Sequence, residues 1–366
     1  MRVPFLDLGA CYQELKLEID TAVARVMESG RYIFGPEVEE FESEWAEYCE
    51  AKYAVGLGNG LDALILALRA LNVGPGDEVI VPSNTYIATW LAVTAVGAKP
   101  IPVEPDPVSH NINSTKIAEA ITTRTKVLLP VHLYGQPANM DPILSIAKKY
   151  GIAVVEDAAQ AHGARYNGKR VGAHGDIVCW SFYPSKNLGA LGDGGAITTD
   201  RSDLADKIKV LGNYGSRIKY ANEVQGINSR LDPLQAAVLR VKLKHLDDWT
   251  NRRCSIAGLY AKELKNTGLT LPHVPKSFDP AWHLYVVRSI NRDKVQKSLW
   301  MAGIETSIHY PIPPHMQQAY VDLDLRADML PIATKLADEV MSLPIGPNMS
   351  QLQIRATIKA VKNAMT

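Results

Sequence analysis

Between residues 53 and 200 the chain repeats one rhythm, a short apolar run followed by a stretch with helical spacing of apolar residues. The runs are "YAVGLG", "DEVIVP", "KVLLPVH", "IAVVED" and "DIVCWSF", and the stretches between them include "LDALILALRALN" and "DPILSIAKKYG". Strand-length runs that are apolar throughout are buried on both faces, so the rhythm predicts an α/β fold with a mostly parallel sheet covered by helices. The run "GAITTD" adds a further strand, and a long polar and helical stretch follows through "LDPLQAAVLRVKLKHLDDWTNRRC". A boundary near residue 250 divides the chain into a large domain, 1–250, and a smaller one, 251–366. The second part has Pro-rich turns, a strand-like "WHLYVVRSI" and a terminal helical pattern, which fit an α+β domain. There is no internal repeat, low-complexity tract or long flexible linker.

The chain has 366 residues and is 46% hydrophobic, enough for about two domains with ample core. Lys plus Arg and Asp plus Glu both number 39. With no excess charge, neither nucleic acid nor an anionic membrane is an expected partner, and any anionic ligand must be held by a local site. The opening "MRVPFLDLGACYQELKLEID" lacks an apolar core with basic flanks, and no stretch approaches the ~20 apolar residues that cross a bilayer, so a cytoplasmic location is expected. Cys11, Cys49, Cys179 and Cys254 are scattered and form no C-x-x-C, which suggests neither a disulfide framework nor a zinc site.

Three stretches carry chemistry. In "YAVGLGNGLDALILAL" a strand runs into Gly58-Asn59-Gly60 and then a helix. Such a turn can hold a phosphate, because glycines let backbone approach and the helix start offers free N–H groups; it can equally be only a tight turn. A dinucleotide fingerprint fits poorly, since counting from Gly56 and Gly58 puts Leu61 where the third glycine belongs. In "IAVVEDAAQAHGA" a buried strand ends in Glu156 and Asp157, with Gln160 and His162 just beyond; one carboxylate there can cap the next helix or serve a ligand at the strand's C-terminal end. In "SFYPSKNLGALGDGG" Lys186 stands between a hydroxyl-rich turn and a run of small residues. A lone lysine is ordinarily a solvated charge. A strand-end Asp, Ser181, a downstream Lys and an N-terminal phosphate turn together match the needs of pyridoxal 5′-phosphate: an amine for a Schiff base, an acid for the pyridine nitrogen, and donors for the phosphate.

These motifs, together with "VPFLDL", "RYIFGPEVEEFESEWAEY", "VPSNTYIAT", "PVHLYGQPANMDPI", "LDPLQAAVLRVKL" and "HYPIPPH", resemble in order the DegT/DnrJ-type sugar-nucleotide aminotransferases, a branch of the fold-type I pyridoxal phosphate enzymes, over nearly the whole chain. The resemblance implies the aspartate aminotransferase-like fold, a mixed and mostly parallel sheet sandwiched by helices with a smaller C-terminal domain, and a homodimer with shared active sites. It implies Lys186 as the catalytic, cofactor-bonded lysine, Asp157 as partner of the pyridine nitrogen and Gln160 as neighbour of the ring oxygen. Gly60, Leu61 and Ser181 match phosphate-binding positions, Tyr86 the residue covering the ring face, and Asn228 a phosphate ligand from the partner subunit.

Many relatives carry Thr at the position of Leu61, and "TTGEGG" after the lysine. The combination "FYPSKNLGALGDGG" with "GNGLDAL" resembles the subgroup that aminates C3 of dTDP-3-keto-6-deoxyhexoses, with L-glutamate as donor, in the making of amino sugars for a surface polysaccharide such as O-antigen or a glycosylated metabolite. Amination at C4 of a 4-keto-6-deoxy sugar nucleotide is the alternative; a non-catalytic regulator and a nicotinamide oxidoreductase are others, and the former lacks a helix-turn-helix signal or basic arm. For the diphosphate, the loop "NYGSRIKYANEVQGINSR" offers Arg217, Lys219 and Arg230, each of which could instead be a solvated loop charge. Tyr183, His309 and Tyr310 resemble sugar-facing positions. No metal is expected, since His309 and His315 lack a suitably spaced acidic or Cys partner. Lysine at 186 also argues against the family branch that removes a hydroxyl, which carries His there.

Overall fold

The computed structural model describes residues 1–366. Seven strands form the central sheet: β1 (Tyr53–Leu57), β2 (Glu78–Pro82), β3 (Lys99–Val103), β4 (Thr125–Leu128), β5 (Ala153–Asp157), β6 (Ile177–Ser181) and β7 (Gly195–Thr199). They lie in the order β1-β7-β6-β5-β4-β2-β3. Only β7 runs against its neighbours β1 and β6; all other pairs are parallel. The six apolar runs read from the sequence are β1, β2 and β4 to β7. β3 was missed because its sequence, "KPIPV", carries Pro100 and Pro102; it sits at the sheet edge, where a missing N–H is tolerated.

Because successive strand residues point to opposite faces, each strand feeds two cores. Val55, Leu57, Val79, Val81, Ile177, Cys179 and Ile197 join a 26-residue cluster with the helices Gly60–Ala70, Ile87–Ala95 and Ser202–Gly212. Ala54, Val178, Trp180 and Ala196 pack on the other face against Phe41 and Trp45 of helix Pro36–Tyr48 and Leu239 of helix Pro233–Leu243. Trp45 is fully buried with its ring edge-on to Trp180, and truncating such a residue to Ala costs about 3–5 kcal/mol.

The C-terminal part has its own 16-residue cluster, built on the antiparallel pair β8 (Tyr285–Arg288) and β9 (Val340–Leu343) and helix Gln351–Ala364, and it draws in Val3 from the other end of the chain. Helix Leu246–Leu264 bridges the two regions: Leu246 packs with the large sheet, whereas Ile256, Tyr260 and Leu264 pack in the C-terminal cluster. A second tie is Glu104, buried just past β3, whose carboxylate accepts the first-turn amides of Ile332 (2.8 Å) and Ala333 (3.0 Å) in helix Pro331–Glu339, where a negative charge meets the helix's positive end.

The reversed strand decides where the site forms. In the register, Gly195 at the start of β7 is opposite both Leu57, the last residue of β1, and Ser181, the last of β6. Asp157, the last of β5, lies beside Cys179 of β6. Three strand ends that are far apart in sequence therefore share one sheet edge, the place where open α/β sheets take ligands.

Candidate active site

The turn Gly58-Asn59-Gly60 folds over this edge so closely that side chains are excluded. A Cβ on Gly195 would stand 2.3 Å from the Asn59 carbonyl oxygen, and one on Gly60 would stand 2.6 Å from Ser181 Cβ. Asn59 caps the helix Gly60–Ala70, its Oδ1 accepting from the Asp62 amide at 2.9 Å and its carbonyl from the Ala63 amide at 3.1 Å. The Gly60 and Leu61 amides precede these bonds and face outward from the helix start, beside the Ser181 hydroxyl. Two amides, one hydroxyl and the helix dipole together make a cradle able to take a phosphate group. Ser229 holds the turn from behind by accepting from the Gly58 amide at 3.0 Å.

The pleat separates the two carboxylates that end β5. Glu156 turns away from the cradle: His132 Nε2 lies 2.9 Å from its Oε2, and the Gly175 amide donates to its Oε1 at 2.6 Å. Burial pushes its acidity down, but His132, His174 and the Gly175 amide outweigh that, leaving its carboxyl below the usual range. Asp157 faces the site. Its Oδ2 accepts from the Thr89 hydroxyl at 2.9 Å and its Oδ1 from the Ala159 amide at 3.2 Å. Burial raises its proton affinity, while these bonds and the Lys186 charge oppose the rise.

Lys186 follows β6 in a turn closed by its own amide donating to the Tyr183 carbonyl at 2.8 Å. The residue keeps some exposure, but its amine end is desolvated, and burial lowers its pKa to about 8, with Asp157 pulling the other way. An amine near pH 8 is a competent nucleophile and proton carrier. Three histidines stay neutral around it. His162 is fully buried among Trp45, Trp180 and Phe182 with no partner for either ring nitrogen, and burial, then the Lys186 charge, holds its pKa at about 3. His283 lies 3.2 Å from Asn187 Oδ1, and His309 lies 2.8 Å from Ser342 Oγ; both are lowered first by burial and then by Lys186, His309 to about 4.

Gln160 is anchored from two sides, its Oε1 accepting from the Tyr134 amide at 2.6 Å and its Nε2 donating to the Tyr310 hydroxyl at 2.9 Å. An amide nitrogen has a second hydrogen to give. Tyr86 and Tyr310 form a tilted ring pair at 5.2 Å, and Tyr86 and Tyr183 each leave over half their surface exposed. His309 stands against Tyr310 at 5.4 Å.

The loop residues differ among themselves. Arg217 is already engaged by Asp206 and Glu223. Lys219 is exposed, its amine over the Tyr220 ring at 5.1 Å. Arg230 has no carboxylate partner; it lies between the rings of Phe34 and Tyr214, 5.4 Å from each, and donates to Asn213 at 3.2 Å. Asn228 is exposed, although the neighbouring Ser229 is buried against Gly58.

Sequence reasoning missed Thr85, Thr89, Tyr134, Phe34 and Tyr214. For Thr89 a signal existed: in "NTYIAT" it lies three residues after Tyr86 and four after Thr85, the spacing of one helix face. Phe34 and Tyr214 approach Arg230 from separate segments and leave no such trace.

The donor set fits pyridoxal 5′-phosphate: a cradle that admits no side chain at Gly60, a buried carboxylate, a desolvated amine and an exposed aromatic face at one sheet edge.

The profile of the DegT/DnrJ/EryC1/StrS aminotransferase family matches residues 13–362. The chain is 56% identical over 364 residues to the erythromycin biosynthesis sensory transduction protein EryC1 of Saccharopolyspora erythraea, covering 98% of this chain and 100% of that one. It is 52% identical over 362 residues to a dTDP-3-amino-3,4,6-trideoxy-alpha-D-glucose transaminase of Streptomyces venezuelae, covering 99% and 96%. It is 53% identical over 359 residues to a dTDP-3-amino-3,6-dideoxy-alpha-D-galactopyranose transaminase of Aneurinibacillus thermoaerophilus, covering 98% of each. Among solved structures, S. venezuelae DesV in complex with a ketimine intermediate superposes with a TM-score of 0.98 at 52% identity, covering 100% of this chain and 98% of that one. NtdA from Bacillus subtilis with bound cofactor PMP gives 0.93 at 33% identity, covering 100% and 85%.

Proposed function

The chain belongs to the DegT/DnrJ/EryC1/StrS aminotransferase family, and from that premise we propose that it moves an amino group from L-glutamate to C3 of a dTDP-3-keto-6-deoxyhexose. The observation that carries the reading is that Lys186, Asp157 and the Gly58–Gly60 turn converge on one sheet edge in a chain more than half identical to two dTDP-3-amino-sugar transaminases. The amino sugar would enter a surface polysaccharide or a glycosylated metabolite, and the enzyme would work in the cytoplasm; no helix is long and apolar enough to cross a membrane.

Pyridoxal 5′-phosphate, when bound, supplies a covalent carrier for the amino group and a ring that accepts electrons. The chain's residues do the rest. The Gly60 and Leu61 amides and the Ser181 hydroxyl would hold the phosphate, Asp157 would keep the ring nitrogen protonated, Gln160 would reach the ring oxygen, and Tyr86 would cover one face. Lys186 Nζ would hold the cofactor covalently and, when freed, would be the group that takes a proton from the donor's α-carbon and gives one back on the sugar side. Burial already lowers the proton affinity of this amine, which favours its service as a base.

The nucleotide's diphosphate is assigned to Arg217, Lys219 and Arg230, and the sugar ring to Tyr183, His309 and Tyr310. A neutral His309, its Nδ1 on Ser342, presents a hydrogen-bonding imidazole and no charge to the sugar. Asn228, an exposed residue, is assigned to the phosphate of a partner subunit in a homodimer. Within the same reading, 1–250 is the cofactor-binding domain and 251–366 the small domain.

The test is to offer the 3-keto and 4-keto sugar nucleotides separately with glutamate and locate the new nitrogen by NMR. Amination of the 4-keto sugar alone would overturn the C3 assignment, and cofactor binding without turnover of either would leave a regulator.

A further inference from the structure

The segment Asn84–Thr89 delivers more to the site than Tyr86. Thr85 and Thr89 are buried, and their hydroxyl oxygens lie 3.0 Å apart. The Thr89 hydroxyl also lies 2.9 Å from Asp157 Oδ2. Geometry leaves either threonine free to be the donor in the first contact, but the second contact removes that freedom. An ionised carboxylate only accepts, and a hydroxyl has one hydrogen. Thr89 therefore spends its hydrogen on Asp157, and Thr85 donates to Thr89. The hydrogens run one way, from Thr85 through Thr89 to Asp157.

We propose that Thr89, backed by Thr85, is a positioning residue that keeps the Asp157 carboxylate ionised and in one orientation toward the nitrogen heterocycle of the cofactor. A proton on Oδ2 would force Thr89 to turn its hydrogen away, and the two threonine hydrogens would then compete within one pair. Protonation at that oxygen thus costs a buried hydrogen bond, while ionisation keeps every member satisfied. The need for such a device is physical: burial favours the neutral acid, and the bonds from the Ala159 amide and the Thr89 hydroxyl oppose it ahead of the Lys186 charge. The Ala159 amide on Oδ1 fixes the other oxygen, so the carboxylate cannot rotate without breaking two bonds.

The inference rests on Asp157 as the partner of the pyridine nitrogen, and the test separates the two. The holoenzyme is prepared with cofactor labelled with 15N in its ring, and the ring-nitrogen resonance is read with kcat and KM. In Thr89→Val, which keeps shape and loses the hydroxyl, the resonance moves toward the unprotonated position, and kcat falls about tenfold or more while KM for the keto sugar changes little. Thr89→Ser restores the resonance, and Thr85→Val gives a smaller shift in the same direction. Asp157→Asn is the control. If its resonance moves and that of Thr89→Val does not, or if Thr89→Ser is as impaired as Thr89→Val, the threonine role is overturned. If the Asp157→Asn resonance stays at the wild-type position, the assignment of Asp157 itself falls. Should Thr89→Val fail to fold, an unshifted resonance in Thr85→Val overturns the proposal.

Discussion

A Cβ placed on Gly60 would lie 2.6 Å from the Cβ of Ser181, so the turn after β1 and the end of β6 touch at the level of the backbone. Gly60→Ala must push the turn off Ser181 and displace the amides of the phosphate cradle. The variant is expected to keep its far-ultraviolet circular dichroism and to bind pyridoxal phosphate at least about tenfold more weakly, and Ser181→Ala, which removes one hydroxyl donor, to be weakened by roughly tenfold. Equilibrium dialysis checks both; an unaffected Gly60→Ala would remove the cradle.

Lys186→Ala is expected to give folded protein with no covalently held cofactor and no turnover. A pH effect follows in the apoprotein. The folded-state pKa of Lys186 is about 8, below the ordinary lysine value of 10.5, so between those values the unfolded chain binds more protons. Stability contributed by this group therefore rises with pH across that window, and below pH 8 the buried charge is a standing cost. Lys186→Met should stabilise the apoprotein at pH 7 by about 1–3 kcal/mol, with the gain gone near pH 10.5. Urea titrations at the two pH values measure it, and a gain that persists at high pH would contradict a desolvated amine.

Asp157 and Glu156 are adjacent but face opposite ways. If Asp157 is the partner of the ring nitrogen, Asp157→Asn should bind cofactor and lose about a hundredfold or more in kcat, since a neutral amide would no longer keep that nitrogen protonated. Glu156→Gln should lower the melting temperature with kcat within about twofold of wild type, because its bonds to His132 and Gly175 serve the fold. Steady-state kinetics paired with thermal melts would show a reversed pattern if the assignment of the two faces were wrong.

If Asn228 serves the partner's phosphate, each active site needs both subunits. Mixing inactive Lys186→Ala with inactive Asn228→Ala protein, after verified subunit exchange, should recover up to about a quarter of wild-type activity, because a hybrid dimer holds one site with both residues intact. Recovery of none would end the shared-site reading.

Arg230 and Arg217 are expected to behave differently despite sharing one loop. Arg230 has no carboxylate and is held in place by Phe34 and Tyr214, whereas Arg217 is already neutralised by Asp206 and Glu223. Arg230→Gln should raise KM for the sugar nucleotide roughly tenfold or more, with kcat little changed; Arg217→Gln should change KM by about threefold or less. Equal effects would show that Arg217 exchanges its acidic partners for the substrate.

What lay in the sequence was what neighbours along the chain can encode. Six of the seven central strands, the glycine turn into a helix, and Asp157 and Ser181 at strand ends with Lys186 in the turn beyond were legible, because the period of two or 3.6 residues and the chemistry of a turn are local properties. β3 was lost where proline hid its pattern. The tertiary structure decided the rest, since it depends on which strand lies beside which. The reversal of β7 brings Leu57 and Ser181 to either side of Gly195. The pleat gives Asp157 to the site and Glu156 to His132. The packing of helix Ile87–Ala95 sets Thr89 on Asp157, and Phe34, remote in sequence, closes with Tyr214 of its own loop on Arg230. Local pattern names the residues able to do chemistry. Only the packing of segments remote in sequence fixes their partners, and with them the burial and charge that tune each group, because those energies act between atoms close in space whatever their separation along the chain.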